Sequence, residues 1–236
     1  MRLWLILQEA SGFRLQAETR RRTRRRIART PTSIRQQAIC MTRCDIVCRM
    51  HSSVVAGVFV GGRSSRMGGR PKGLLTIDGE TIVARWRRIF VACEVPIVLV
   101  GANEAYASMG LPTIEDAGVA GPMGGLDALC AHATNGGATH VVAVACDMPH
   151  ASEALVRKLL AAPAADAVAP RVDDRWQPFF ARYDARATRS RIDELRANGV
   201  VMLQKLLDAM RAVELPLTED EKRELRDWDS PSDVTT

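Results

Sequence analysis

Beginning at Val54 the chain reads VVAGVFV, an unbroken apolar run that stops at two glycines, Gly61 and Gly62. A strand apolar on both faces has no solvent side, so it belongs inside a parallel sheet covered above and below by helices. The same pattern returns at 97–100 (IVLV), which follows Pro96 and ends at Gly101, and at 140–145 (HVVAVA), cut off by Asp147-Met148-Pro149. A shorter strand is expected over 111–114. Helices are expected between these runs. Residues 81–93 carry Ile82, Val83, Trp86, Ile89 and Phe90 at helical spacing, and further helical segments are read at 103–109, 124–133 and 151–161. Beyond them come a strand around 178–183, helices within 186–210, a short strand near 213–215 and a last helix from about 218. Strands alternating with helices predict right-handed crossovers and one three-layer α/β domain over residues 50–236, with a mostly parallel, Rossmann-like sheet.

In such sheets ligands bind beyond the carboxyl ends of the strands, where strand order reverses. The chemically rich residues fall at those ends: Gly61 to Lys72 after the first strand, Gly101 after the second, Glu115-Asp116 after the third and Asp147 after the fourth. The first of these loops, GGRSSRMGGRPK, holds four glycines, two serines, three arginines and a lysine. Glycines let backbone N–H groups approach phosphate oxygens and form an anion-binding nest. Arg66 and Lys72 can offset charge on β- and γ-phosphates, the first as a fork of donors and the second as a mobile point charge. The string is neither a Walker A loop nor a dinucleotide fingerprint, because the spacing of both is absent.

The loop GGxSSRMGxxxK resembles that of the molybdenum cofactor nucleotidylyltransferases, within the wider nucleotide-diphospho-sugar transferase fold. Further look-alikes are IED at 114–116, GPMGGL at 121–126, CDMP at 146–149, QPFFARY at 177–183 and DWDSPSD at 227–233. The resemblance runs from about Val54 to Val234 and is greatest to the guanylyl branch. It implies transfer of GMP from GTP to molybdopterin, with Mg2+ as cofactor and pyrophosphate as leaving group. Cofactor-accepting molybdoenzymes or their chaperones are the protein partners it implies.

Nucleotidyl transfer needs charge offset on the oxygens of the α-phosphate and the leaving pyrophosphate, which Mg2+ held by one or two carboxylates provides. By resemblance Asp147 binds Mg2+ and the phosphates. Its competing reading is a cap for the helix at 151–161, a task Ser152 can also perform. Asp116, by resemblance a nucleotide contact, is equally a turn-forming aspartate. Asp227 and Asp229 alternate on an extended segment, which directs both to one side. Asp229 is the candidate second metal ligand, with a solvated turn as the alternative. By resemblance Phe59, Val60, Gly61 and Gly62 correspond to the segment beneath the base and Gln177 to one facing the pterin acceptor, with a strand residue that meets no ligand as the equal alternative for Gln177. The candidate catalytic set is Arg66, Lys72 and Asp147.

Several positions depart from the guanylyl pattern. Gly101 stands where that branch has a base-reading asparagine, Phe59-Val60 where it has Leu-Ala, and Asp227 and Asp229 where it has asparagines. Pro71 before Lys72 and the two aspartates are forms seen in the cytidylyl branch. A CTP-dependent molybdopterin cytidylyltransferase and a sugar-phosphate nucleotidylyltransferase therefore remain alternatives. A non-catalytic, RNA-associated protein using the amino-terminal arm is a third.

That arm carries the chain's basicity. Of a formal net charge of +6, residues 1–50 hold twelve arginines against Glu9, Glu18 and Asp45. The remainder is mildly acidic, so nucleic acid is not an expected partner of the body. RRRTRRRIAR at 20–29 repels itself out of a compact state, which predicts a disordered extension over 1–49 ahead of Met50. An arm for nucleic acid or anionic lipid, and an organellar transit peptide, are the other readings. Cys40, Cys44 and Cys48 are spaced C-x3-C-x3-C without an evident fourth ligand, and read as a helix face rather than a metal site. Cys93, Cys130 and Cys146 sit in apolar runs as small buried hydrophobes. The apolar run Leu3 to Leu7 is too short for a secretory signal, and no apolar run reaches 18 residues, so the expected location is the cytoplasm, with no membrane partner.

Overall fold

The computed structural model describes residues 53–61, 71–115 and 121–228. Seven strands form one sheet in the order β11-β7-β10-β6-β1-β4-β5. Its parallel part is β1 (Val54–Phe59), β4 (Ile97–Val100), β5 (Thr113–Ile114) and β6 (His140–Ala145). Val58 pairs with Leu99 on one side and with Val144 on the other, so the first apolar run is the buried centre of the sheet. Alternation assigns its faces. Ala56, Val58 and Val60 enter one half of the core, while Val55 and Phe59 pack against the other.

Each face is closed by helices whose apolar stripes the sequence carries. Helix α1 (Ile82–Ala92) begins where the Thr81 hydroxyl accepts the Ala84 N–H at 3.2 Å. It buries Ile82, Val83, Trp86, Ile89 and Phe90, each large side chain worth about 2 kcal/mol of apolar transfer. Helix α3 (Glu153–Leu160) shares that face, together with Leu225 and Trp228. On the opposite face lie α2 (Pro122–Asn135), α4 (Ala185–Ala197) and α5 (Leu203–Ala209). Gly57 permits the close crossing of α2. A Cβ there would stand 2.4 Å from Leu129 Cδ2.

The rest of the sheet is mixed. β10 (Phe180–Asp184) runs antiparallel to both β6 and β7 (Ala167–Ala169), and β11 (Val213–Glu214) is parallel to β7. The sequence does not announce β7, an Ala-Val-Ala triplet of weak strand preference. Two small hairpins are likewise additions: β2–β3 (Thr76–Ile77, Glu80–Thr81) and β8–β9 (Arg171–Val172, Arg175–Trp176). Both turn through two residues of positive φ, Asp78-Gly79 and Asp173-Asp174, as the right-handed strand twist favours. The last helix, α6 (Glu219–Glu224), starts with a full capping box between Thr218 and Glu221.

Candidate active site

The chain leaves β1 for β4 and β5, then returns to the other side of β1 to lay down β6. The reversal of strand order therefore lies between β1 and β6, and the crevice at their carboxyl ends is where an open α/β sheet holds ligands. Lys72 and Asp147 meet there. Lys72 opens the 3-10 turn Lys72–Leu74, and its Nζ lies 2.9 Å from Asp147 Oδ2. The side chains are 17% and 20% exposed, so this pair is neither screened like a surface bridge nor fully desolvated. Both can still reach an incoming phosphate or ion.

The backbone under Asp147 is fastened from four directions. The Trp86 indole N–H donates to Ala145 O at 3.0 Å, Ala145 N–H to Phe179 O at 3.1 Å, and Cys146 N–H to Phe59 O at 3.2 Å. Trp228 N–H donates to Asp147 O at 2.9 Å, bringing the Asp227-Trp228 segment against the carboxylate loop. Its ring is buried and meets His150 edge-on, with centroids 6.1 Å apart. Ser152 Oγ accepts the Leu155 N–H at 3.2 Å and caps α3, which relieves Asp147 of that duty.

The neighbouring strand ends complete the rim. Val60 N–H donates to Val100 O and Gly101 N–H to Ile114 O, so β1, β4 and β5 stay zipped past their last residues. Gly101 has φ +110°, and a Cβ on it would stand 2.9 Å from the Gly61 backbone. An asparagine does not fit that position as the backbone stands. Asn103 uses its Oδ1 to accept the Ala105 N–H, capping the 3-10 turn Glu104–Met109. Val60 is buried in the core, so only its backbone faces the crevice, and the Phe59 ring packs at 4.8 Å against that of Phe179. The amino end of α2, built from GPMGGL, follows β5 at the same sheet edge and presents its positive dipole end there.

Gly62, Arg66, Asp116 and Asp229 lie outside the described residues, as do Cys40, Cys44 and Cys48. Cys93, Cys130 and Cys146 are buried free thiols, as expected. Burial foremost, and then the Asp147 charge, pushes Cys146 up to about 12, so it stays a neutral thiol beside the site rather than a nucleophile. Mg2+ takes one or two carboxylates and completes its shell with phosphate and water oxygens. Asp147, a carboxylate at a polar crevice, fits that use. Among the described residues no group of three His, Cys, Asp or Glu side chains forms a closed metal cage. Tyr106 and Trp228 were not legible as site residues, because their positions follow from tertiary packing around Lys72 and Asp147.

Residues 56–215 match the family model described as the MobA-like NTP transferase domain. The chain belongs to the MobA-like NTP transferase family. Its relatives include the molybdenum cofactor guanylyltransferase of Pseudomonas putida (strain GB-1), 32% identical over 74% of this chain and 92% of that one. Another, of the same name from Yersinia pseudotuberculosis (serotype O:1b, strain IP 31758), is 30% identical over 69% of this chain and 84% of that one. The fold is shared with molybdopterin-guanine dinucleotide biosynthesis protein A from Archaeoglobus fulgidus, at TM-score 0.59 and 20% identity over 76% of this chain and 94% of that one. It is shared too with 2-C-methyl-D-erythritol 4-phosphate cytidylyltransferase from Thermus thermophilus, at TM-score 0.51 and 19% identity over 76% of this chain and 95% of that one. This MobA-like chain is accordingly a nucleotidyltransferase with a mostly parallel three-layer fold. None of its described helices is long and apolar enough to cross a membrane.

Proposed function

We propose that this MobA-like chain transfers GMP from GTP to molybdopterin, giving molybdopterin guanine dinucleotide and pyrophosphate. An oxygen of the acceptor's phosphate attacks the α-phosphorus, the bond from that phosphorus to the oxygen bridging to the β-phosphate breaks, and pyrophosphate leaves with the electron pair. No general base is needed, since the attacking oxygen is already anionic. The observation that carries the reading is the Lys72–Asp147 pair at the β1/β6 crevice, a cation and a carboxylate on one sheet edge with a glycine-rich loop between β1 and Lys72. The names of the relatives supply the acceptor.

In this mechanism Lys72 Nζ leaves Asp147 and neutralises phosphate charge that grows as pyrophosphate departs. Arg66 and the N–H groups of Gly61 and Gly62 cradle the triphosphate, and Asp116 contacts the nucleotide. The α2 dipole favours the same anion. Asp147, joined by Asp229, is the holder proposed for Mg2+, which when bound offsets charge on the phosphate oxygens. Catalysis is positioning and electrostatics.

A second base remains in play for a structural reason. Gly101 leaves no room for the asparagine that reads guanine in the guanylyl pattern, which favours a CTP-dependent version of the same chemistry. Pyrophosphate release with molybdopterin and each NTP in turn decides between them. Release with GTP alone supports guanylyl transfer, release with CTP alone replaces it, and release with neither refutes both. Chelating divalent ions should stop the reaction. Asp147→Ala should lower it about a thousandfold, the loss of several kcal/mol of charge stabilisation, with the melting curve retained.

A further inference from the structure

A buried hydroxyl is hydrogen-bonded to the turn that bears Lys72. Tyr106 sits on the 3-10 turn after β4, and its side chain is 3% exposed. Its Oη accepts the N–H of Gly73, the residue after Lys72, at 3.1 Å in a buried hydrogen bond. The fit is tight. A Cβ on Gly73 would come within 3.0 Å of Tyr106 Cε1 and Oη, and within 2.6 Å of Val83 Cγ2. Tyr106 belongs to the same buried core cluster as Cys146, the residue before Asp147. Burial raises the phenol further above its ordinary value, so the group remains a neutral O–H throughout the working pH range.

We infer that Tyr106 is a positioning residue, whose buried hydroxyl holds the backbone of the Lys72 turn by accepting the Gly73 N–H, while its ring packs in the same core cluster as Cys146, the residue before Asp147. This rests on the nucleotidyl-transfer reading of the same crevice. Asp147 follows β6, whose end is hydrogen-bonded to four other segments, whereas Lys72 follows a long glycine-rich loop and rides on a short turn. Leu74 and Leu75 pack the turn against the core, and the Gly73 N–H is directed into it. The Gly73 N–H bond to Tyr106 ties the turn to the segment that follows β4, and a buried bond keeps its direction where an exposed one would trade with water. A shift of the turn by a fraction of an ångström moves the ammonium relative to the carboxylate, and misplacement on that scale is felt in transfer rates.

The test compares wild-type protein with Tyr106→Phe, which keeps the ring and removes only the hydroxyl. Calorimetry gives the GTP dissociation constant with and without Mg2+, and pyrophosphate release with molybdopterin gives kcat. The expected result is a kcat about tenfold lower, nearly unchanged GTP affinity without Mg2+, and at least a threefold smaller gain in affinity when Mg2+ is added. A merely structural loss lowers the folded fraction and scales both dissociation constants alike, leaving their ratio untouched. An unchanged ratio in a folded variant overturns the inference. Should Tyr106→Phe fail to fold, Cys146→Ala thins the cluster that Tyr106 shares with the Asp147 strand, and an unchanged ratio there overturns it equally. Wild-type protein that neither binds GTP more tightly with Mg2+ nor releases pyrophosphate sinks the functional reading itself, and this inference with it.

Discussion

Lys72 and Asp147 come from segments far apart in sequence, yet a reader of the sequence could pair them, because strand ends in a parallel sheet share an edge. Tyr106 offers no such signal. It lies on a short 3-10 turn whose facing is decided by what the turn packs against, and the spacing of so short an element does not encode that. Asn103 shows the same limit: its oxygen caps the turn it precedes, a use that only the folded turn reveals. Gly101 gives a prediction at this scale. Its φ of +110° and the 2.9 Å approach to Gly61 leave a side chain nowhere to go without moving one strand exit against the other. Gly101→Ala should destabilise the fold by roughly 2–3 kcal/mol, read as a lower denaturation midpoint at unchanged slope. It should also weaken nucleotide binding, since the exit of β1 forms the crevice wall.

Among elements, the helices and the short strands β5 and β11 were legible, whereas β7 and the two hairpins were not. The stripe Ile82, Val83, Trp86, Ile89 and Phe90 identifies α1 by itself, and Thr81 marks its start. By contrast, nothing in the residues of β10 declares that it runs antiparallel, since alternation is the same in either direction. The buried Arg182 on that strand settles the matter locally: its guanidinium donates to the Leu160 and Ala162 carbonyls at 2.9 Å, serving the end of α3. Helix α6 buries none of its own residues and is held by polar contacts instead. Lys158 reaches Glu221 at 2.7 Å, and Glu224 accepts the Ser152 N–H at 3.1 Å. These fix the direction of the chain into Trp228. Trp228→Ala should cost about 3–5 kcal/mol by cavity formation, measured by chemical denaturation. It should also raise the Mg2+ concentration for half-maximal activity, because the Asp147 loop loses its packing partner.

At the scale of the molecule, charge and chemistry separate. The basic excess belongs to residues 1–50, and every described site residue lies in the mildly acidic remainder. A chain restricted to residues 50–236 should therefore melt within a few degrees of the full protein and release pyrophosphate at an undiminished rate. A loss of activity on that deletion would assign the arginine-rich segment a part in the reaction. The order of strands was not readable from the sequence, because loop lengths do not say on which side of β1 the chain returns. The hydrogen bond from Trp228 to Asp147 has a consequence for how the protein comes into being. The sheet that presents the carboxylate can assemble on the ribosome while the residue that braces it is still inside the exit tunnel. Synthesis halted before that tryptophan would release a chain whose acidic loop lacks its brace, so the carboxylate reaches its final setting only after residue 228 has left the ribosome.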